Sequence, residues 1–122
     1  MENGKGRRRI LIVEDEPALR LSYERHFTSR YDLVFASTGA EALARLAEQR
    51  PDVAVLDMRL PDTDGVELLR RIRHISPELP VIITTAYMSI EPQLKVLDLP
   101  HSGYIVKPFR LDELGARIDA VL

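Results

Sequence analysis

Five short apolar runs, separated by longer stretches with helical periodicity, constrain the fold more than any other feature of the sequence. The runs lie at residues 10–13, 33–36, 53–56, 81–83 and 104–106. Most contain no polar residue, and uninterrupted apolar runs are typical of strands that are covered on both faces, as in parallel sheets. The alternation of strand and helix therefore predicts one α/β domain with a parallel five-stranded sheet.

Helix starts follow most of these runs. Pro17 suits the first turn of a helix, and Thr38 with Glu41 has the spacing of a capping box. Asp64 can cap a third helix, and from Leu111 onward apolar residues recur at helical spacing. A further helix is expected at residues 91–98, where proline near each end keeps it short.

Composition limits the function classes that remain. The chain has 122 residues, 45% of them apolar and 30% charged, as in an ordinary globular domain. It contains no cysteine, so disulfides, thiolate catalysis and cysteine-bound zinc are excluded. No apolar run approaches the roughly 20 residues of a membrane helix, and a cytoplasmic protein that does not bind membranes is expected. The expected organisation is a flexible basic tail at residues 1–7 followed by one domain at residues 8–122.

The charge is unevenly distributed. The first nine residues have a net charge of +3, and because the whole chain has −2, the remainder carries −5. A basic leader of this kind could contact nucleic acid or an acidic partner. The simpler interpretation is a solvated terminus, and no direct nucleic-acid binding is expected.

Polar side chains stand at the ends of four of the predicted strands. In open α/β sheets, ligands bind beyond the carboxyl ends of the strands, where the strand order reverses. If the strands are parallel, these side chains gather at one edge of the sheet. They are Glu14, Asp15, Asp57, Thr84, Thr85 and Lys107.

This set of side chains favours phosphoryl chemistry. Carboxylates without cysteine or nearby histidine are typical ligands of Mg²⁺, and a carboxylate can itself accept a phosphoryl group. Asp57 is the natural acceptor, because it stands alone after a central apolar strand whereas Glu14 and Asp15 come as a pair. Taken singly, each residue has a simpler explanation, such as a helix-capping acid or a turn former. Their joint placement favours a site.

The residues resemble the receiver domain of two-component response regulators, the flavodoxin-like, chemotaxis-receiver type. Four landmarks carry the resemblance: residues 10–17 (ILIVEDEP), residues 55–65 (VLDMRLPDTDG), Thr85-Ala86, and Lys107-Pro108-Phe109. It spans nearly the whole chain. It implies a (βα)5 three-layer sandwich with strand order 2-1-3-4-5, two helices on one face and three on the other.

The resemblance also implies the chemistry of a bacterial two-component system. Asp57 would be phosphorylated by a histidine kinase, a phosphotransfer protein or a small phosphodonor. Mg²⁺ would be held by Glu14, Asp15, Asp57 and the backbone carbonyl of Arg59. Apart from catalysing its own phosphorylation and dephosphorylation, the protein would not be an enzyme.

A conformational switch is the second implication. Thr85 would hydrogen-bond the phosphoryl group, Lys107 would pair with it, and Tyr104 would turn inward. The Lys107–Pro108 peptide bond would be cis. The movements of Thr85 and Tyr104 would reshape the surface of the fourth helix, fifth strand and fifth helix, through which a homodimer could form. Because the landmarks account for almost all of the chain, we expect the effect to leave through this surface, to a downstream protein or an output domain missing from this chain.

Three departures from the family pattern bear on these expectations. Glu14 stands where aspartate is commoner, and residues 99–103 replace the usual Gly-Ala turn. Arg59 and Tyr87 flank the expected site, and we hypothesise that they shield the phosphoryl group from water; alternatively, both lie outside it. Two other functions remain open: a pseudo-receiver that binds partners without phosphorylation, and a flavodoxin-like cofactor-binding domain. The acids after the first strand argue against the latter.

Overall fold

Five strands and four helices form the part of the chain that the structure describes. The structure is a computed structural model that describes residues 6–86 and 103–122. The strands are β1 (Arg9–Val13), β2 (Asp32–Ala36), β3 (Val53–Asp57), β4 (Val81–Thr85) and β5 (Gly103–Val106). The helices are α1 (Pro17–Phe27), α2 (Gly39–Gln49), α3 (Gly65–Ile75) and α4 (Leu111–Val121).

The strands form one parallel sheet in the order β2-β1-β3-β4-β5, as predicted. All residues of β3 and β4 are buried, which explains why both strands begin with an uninterrupted apolar run. The register pairs Asp57 with Thr84 and Thr85 with Val106. The ends of the three adjacent strands therefore lie at the same level along one edge of the sheet.

The helices cover both faces of the sheet. On one face α1 and α4 bury Tyr23, Phe27, Leu114 and Ile118. On the other face α2 and α3 pack against the sheet through side chains that include Leu46 and Leu69. The three-layer prediction is confirmed. The helix expected at residues 91–98 lies outside the described residues.

The helix starts agree with the sequence signals, with one correction. Asp64 caps α3 by accepting the Glu67 N–H at 2.8 Å, and Thr38 caps α2 by accepting the Glu41 N–H at 3.0 Å. A capping box would also direct the Glu41 carboxylate to the Thr38 N–H. Instead, Glu41 accepts the N–H of Ser37 at 2.8 Å, so the prediction of a reciprocal box was wrong by one residue.

Polar contacts tie α4 to the turn after α1. Asp119 accepts hydrogen bonds from Arg30, at 2.5 Å, and from the Tyr31 hydroxyl.

Of the predicted basic tail, Arg7 donates to the Thr28 carbonyl at 2.7 Å. Within residues 6–86 and 103–122, no helix has the length and apolarity needed to cross a bilayer.

Candidate functional site

A cleft of about 330 Å³ opens at the carboxyl edge of the sheet. It collects side chains from the loops after β1, β3, β4 and β5, as the strand-end argument predicts. Apolar residues of the loop after β3 also line it, and these were not anticipated. The predicted residues that line the cleft are Glu14, Asp15, Asp57, Arg59, Thr85 and Lys107.

Backbone pairing continues beyond the strand ends and fixes where these loops begin. The Glu14 N–H donates to the Ala36 carbonyl at 2.9 Å, and the Lys107 N–H donates to the Thr85 carbonyl at 2.7 Å. Glu14 and Lys107 therefore leave the sheet from positions held by its hydrogen bonding. A flexible loop would not hold them as firmly.

Lys107 bridges two buried carboxylates. Its Nζ lies 3.3 Å from Glu14 Oε1 and 3.3 Å from Asp57 Oδ1. The side chains of Glu14 and Asp57 are only 2% and 7% exposed. Asp57 Oδ1 also accepts a longer hydrogen bond, 3.5 Å, from the Arg59 N–H. The Asp57 carboxylate is thus oriented by an ammonium and a backbone amide.

Burial makes both carboxylates harder to ionise. It raises the pKa of Glu14, and the nearby charge of Asp57 raises it further. Burial also raises the pKa of Asp57, although Lys107 works in the opposite direction. Burial alone would lower the pKa of Lys107, but the two carboxylates outweigh it and the pKa is raised. The cleft therefore holds more negative charge than Lys107 balances.

The donor set of the cleft fits a hard divalent cation. Glu14, Asp15 and Asp57 can each offer one oxygen, and these atoms lie within 4.8 Å of one another. The Glu16 N–H donates to Glu14 Oε2 at 3.2 Å and so orients the longer side chain of Glu14. Carboxylate oxygens of this number and spacing suit Mg²⁺, which takes few protein ligands and keeps waters.

The structure separates the two threonines at the end of β4. Thr85 lines the cleft and Thr84 does not, although both are buried. Tyr104 lies on β5 away from the cleft, half-buried against the core that α2 and α3 cover. The Lys107–Pro108 peptide bond is cis, as predicted. Tyr87 lies outside the described residues.

Gly65 explains how the loop after β3 closes over the cleft. Its N–H donates to the Met58 carbonyl at 2.9 Å. A Cβ at this position would lie 2.6 Å from Met58 Cα and 2.4 Å from its sulfur. Only glycine permits this close approach, so Gly65, which directly follows the predicted cap Asp64, also shapes the wall of the site.

Comparison with known proteins agrees with this geometry. The family model of the response regulator receiver domain matches residues 10–119. The chain belongs to this family. It is therefore a receiver domain of the kind that two-component response regulators contain.

Individual relatives show the same likeness. The response regulator MprA of Mycobacterium leprae (strain TN) is 41% identical over 115 residues, which cover 93% of this chain and 50% of MprA. Chemotaxis response regulator CheY4 of Vibrio cholerae superposes with a TM-score of 0.86 at 27% identity, covering 95% of this chain and 99% of CheY4. A BeF3-activated DrrB receiver domain gives 0.82 at 29% identity, with coverages of 94% and 97%. The receiver domain described here spans about half the length of the curated relatives it matches.

Proposed function

We propose that this receiver domain accepts a phosphoryl group on Asp57 in a Mg²⁺-dependent reaction. One observation carries the proposal: a buried aspartate at the end of a central strand lies 3.3 Å from a lysine ammonium, within a cluster of three carboxylates. A structural ion pair would need one acid for one base. The surplus of carboxylates is costly when buried, unless a cation is bound there.

The phosphoryl transfer would use the groups that orient Asp57. A carboxylate oxygen of Asp57 attacks the phosphorus of a phosphohistidine or an acyl phosphate. A new P–O bond forms while the bond to the donor nitrogen or oxygen breaks, and its electron pair leaves with the donor. Lys107 and the hydroxyl of Thr85 stabilise the charge on the phosphoryl oxygens.

Glu14, Asp15, Asp57 and the backbone carbonyl of Arg59 would hold Mg²⁺. When bound, the ion neutralises charge on the carboxylates and on the transferred phosphoryl group. Without it, the acids of the cleft would repel an anionic phosphodonor. The side chains of Arg59 and Tyr87 would flank the phosphoryl group and limit access of water.

The change at the signalling surface would follow from movements of Thr85 and Tyr104. Thr85 would move toward the phosphoryl group and Tyr104 would turn inward. This changes the surface made by the helix expected at residues 91–98, β5 and α4. A charge change at one site would in this way bias a two-state element. A histidine kinase or phosphotransfer protein would act upstream; a downstream protein, an output domain or a second copy of the chain would act on the switched surface.

Treatment with acetyl phosphate tests the proposal. With Mg²⁺, wild type should gain the mass of one phosphoryl group, and Asp57→Asn should not. Asp52→Asn is the control, because Asp52 lies at the opposite edge of the sheet, where it accepts the Arg9 N–H at 2.7 Å. A folded wild type that is not modified with or without Mg²⁺ would favour the pseudo-receiver instead. A bound flavin would favour a cofactor-binding domain.

A further inference from the structure

The loop between β3 and α3 is tied to a helix that follows a different strand. At its tip, Asp62 Oδ1 accepts the N–H of Gly39 at 2.7 Å, and Oδ2 accepts the N–H of Ala40 at 3.0 Å. Gly39 and Ala40 are the first two residues of α2. A single carboxylate therefore binds two adjacent amides 22 and 23 residues earlier in the chain.

This tie is additional to the local cap of α2. The first amides of a helix have no partner within the helix, and Thr38 accepts only that of Glu41 by its side chain. Asp62 satisfies the other two and places a negative charge at the positive end of the helix dipole. The hydrogen bonds from Gly39 and Ala40 lower the pKa of Asp62, so the group is ionised at neutral pH.

The other parts of the loop are also fixed. Arg59 and Asp64 form an isolated antiparallel bridge, which closes the loop at its base. At the tip, a Cβ on Gly39 would lie 2.6 Å from the Thr63 methyl group, so the loop rests directly on the start of α2. Arg59 thus belongs to a short loop held by β3, by α3 and by α2.

We propose that Asp62 is a positioning residue that anchors this loop to α2, so that the backbone carbonyl of Arg59 is presented to the cation in the acidic cleft. The inference rests on the proposed function. Asp62 does not line the cleft, whereas Arg59, three residues earlier, does. Because Asp62 orders the loop when the protein folds, cation binding does not have to meet the entropic cost of ordering it. Because Asp62 acts through the loop backbone, we expect its loss to weaken Mg²⁺ binding about tenfold, the low end of the range for groups that hold metal ligands in place.

The coupling should act in both directions. If Asp62 favours the loop conformation that binds the cation, then cation binding must stabilise the contact between Asp62 and α2. The amides of Gly39 and Ala40 report on this contact directly. Their hydrogen exchange should therefore slow when Mg²⁺ is added to wild type, and this readout does not depend on phosphorylation.

A Mg²⁺ titration followed by backbone amide NMR shifts tests the proposal. We expect Asp62→Ala to bind Mg²⁺ about tenfold more weakly than wild type, and to lose the Mg²⁺-dependent protection of Gly39 and Ala40. Thr38→Ala is the matched control, because it weakens the start of α2 without cutting the tie to the loop. Thr38→Ala should lower the free energy of unfolding by about 1 kcal/mol and leave the Mg²⁺ affinity unchanged within experimental error.

A second variant separates anchoring from charge. Asp62→Asn removes the same negative charge but keeps one oxygen acceptor, so its Mg²⁺ affinity should lie between those of wild type and Asp62→Ala. The difference between the Ala and Asn variants should persist at high ionic strength, which screens exposed charges.

The possible failures are distinct. Equal Mg²⁺ affinity in wild type and Asp62→Ala would overturn the anchor and leave the proposed function intact. So would an equal loss in Thr38→Ala, since the effect would then come from the helix. Identical affinities in the Ala and Asn variants would also overturn it, in favour of simple electrostatics. If wild type binds no Mg²⁺, the proposed function fails, and the anchor's role fails with it.

Discussion

Replacing Asp57 with asparagine should stabilise the metal-free protein, because the cleft holds more negative charge than Lys107 can balance. At an effective dielectric constant of about 20, the Lys107 ammonium at 3.3 Å attracts Asp57 by about 5 kcal/mol. Glu14, whose ligand oxygen lies within 4.8 Å of that of Asp57, repels it by at least about 3.5 kcal/mol. The exposed Asp15 lies within the same distance and adds a repulsion that solvent screens. At most about 1.5 kcal/mol of attraction remains.

Burial reverses that balance. Taking a carboxylate out of water costs several kcal/mol in a protein, and the raised pKa of Asp57 has the same sign. We therefore expect Asp57→Asn to increase the free energy of unfolding by about 1–3 kcal/mol in EDTA. For a domain of this size, each kcal/mol corresponds to a rise in Tm of roughly 3–5 °C.

Urea denaturation at pH 7.5, with EDTA or with Mg²⁺, measures the effect. At a hundredfold excess over Kd, Mg²⁺ should stabilise wild type by about 2.7 kcal/mol. It should stabilise the variant less, since the variant lacks one carboxylate ligand, so the difference should shrink or reverse. Glu48→Gln removes one exposed charge, which is 60% accessible, and should change stability by less than about 0.5 kcal/mol. An Asp57→Asn protein no more stable than wild type in EDTA would refute the reasoning.

Three further predictions follow from the buried polar groups. Folding raises the pKa of Glu14 and Asp57, so both groups favour the folded state only while they are protonated. In EDTA, stability should therefore fall as pH rises above 4.5, the ordinary pKa of Glu14. The advantage of Asp57→Asn should therefore widen with pH, and a constant difference would contradict this. Tyr23→Phe should raise stability by about 1 kcal/mol in urea denaturation, since the buried Tyr23 hydroxyl has no hydrogen-bond partner among the described residues; a loss would show that it has one. Burial, and then the hydrogen bond to Asp119, raises the pKa of Tyr31 to about 12; Asp119→Asn should lower it in an ultraviolet titration, and an unchanged value would argue against the contact.

The fold could be predicted because the inner strands β1, β3 and β4 are buried on both faces. Each apolar run coincides with a strand, and the errors occur at strand ends. β1 begins at Arg9, and β4 continues through Thr84 and Thr85, which the sequence suggested would follow it. Strand ends are set by backbone pairing, which a polar residue permits as readily as an apolar one. Apolarity alone therefore underestimates strand length.

The site could be predicted in part, for a related reason. Parallel strands bring their carboxyl ends together, so the residues after them are found by topology alone. The contact of Asp62 with Gly39 could not be predicted this way, since it joins a loop to the start of a helix and has no sequence periodicity. The buried Tyr23 hydroxyl, which has no hydrogen-bond partner within residues 6–86 and 103–122, could not be predicted either, because at its position in the helical pattern tyrosine counts as an apolar residue.

The position of β1 between β2 and β3 has a consequence for synthesis on the ribosome. β1 pairs with β2 and then with β3, and each later strand adds to the outer edge of strands already made. The strand order therefore permits the sheet to grow in the order in which the chain emerges. The core on the face of the sheet that α1 covers is completed later, because it includes Leu114 and Ile118 of α4. Until α4 emerges, this face of the nascent chain exposes an apolar surface that a chaperone would recognise.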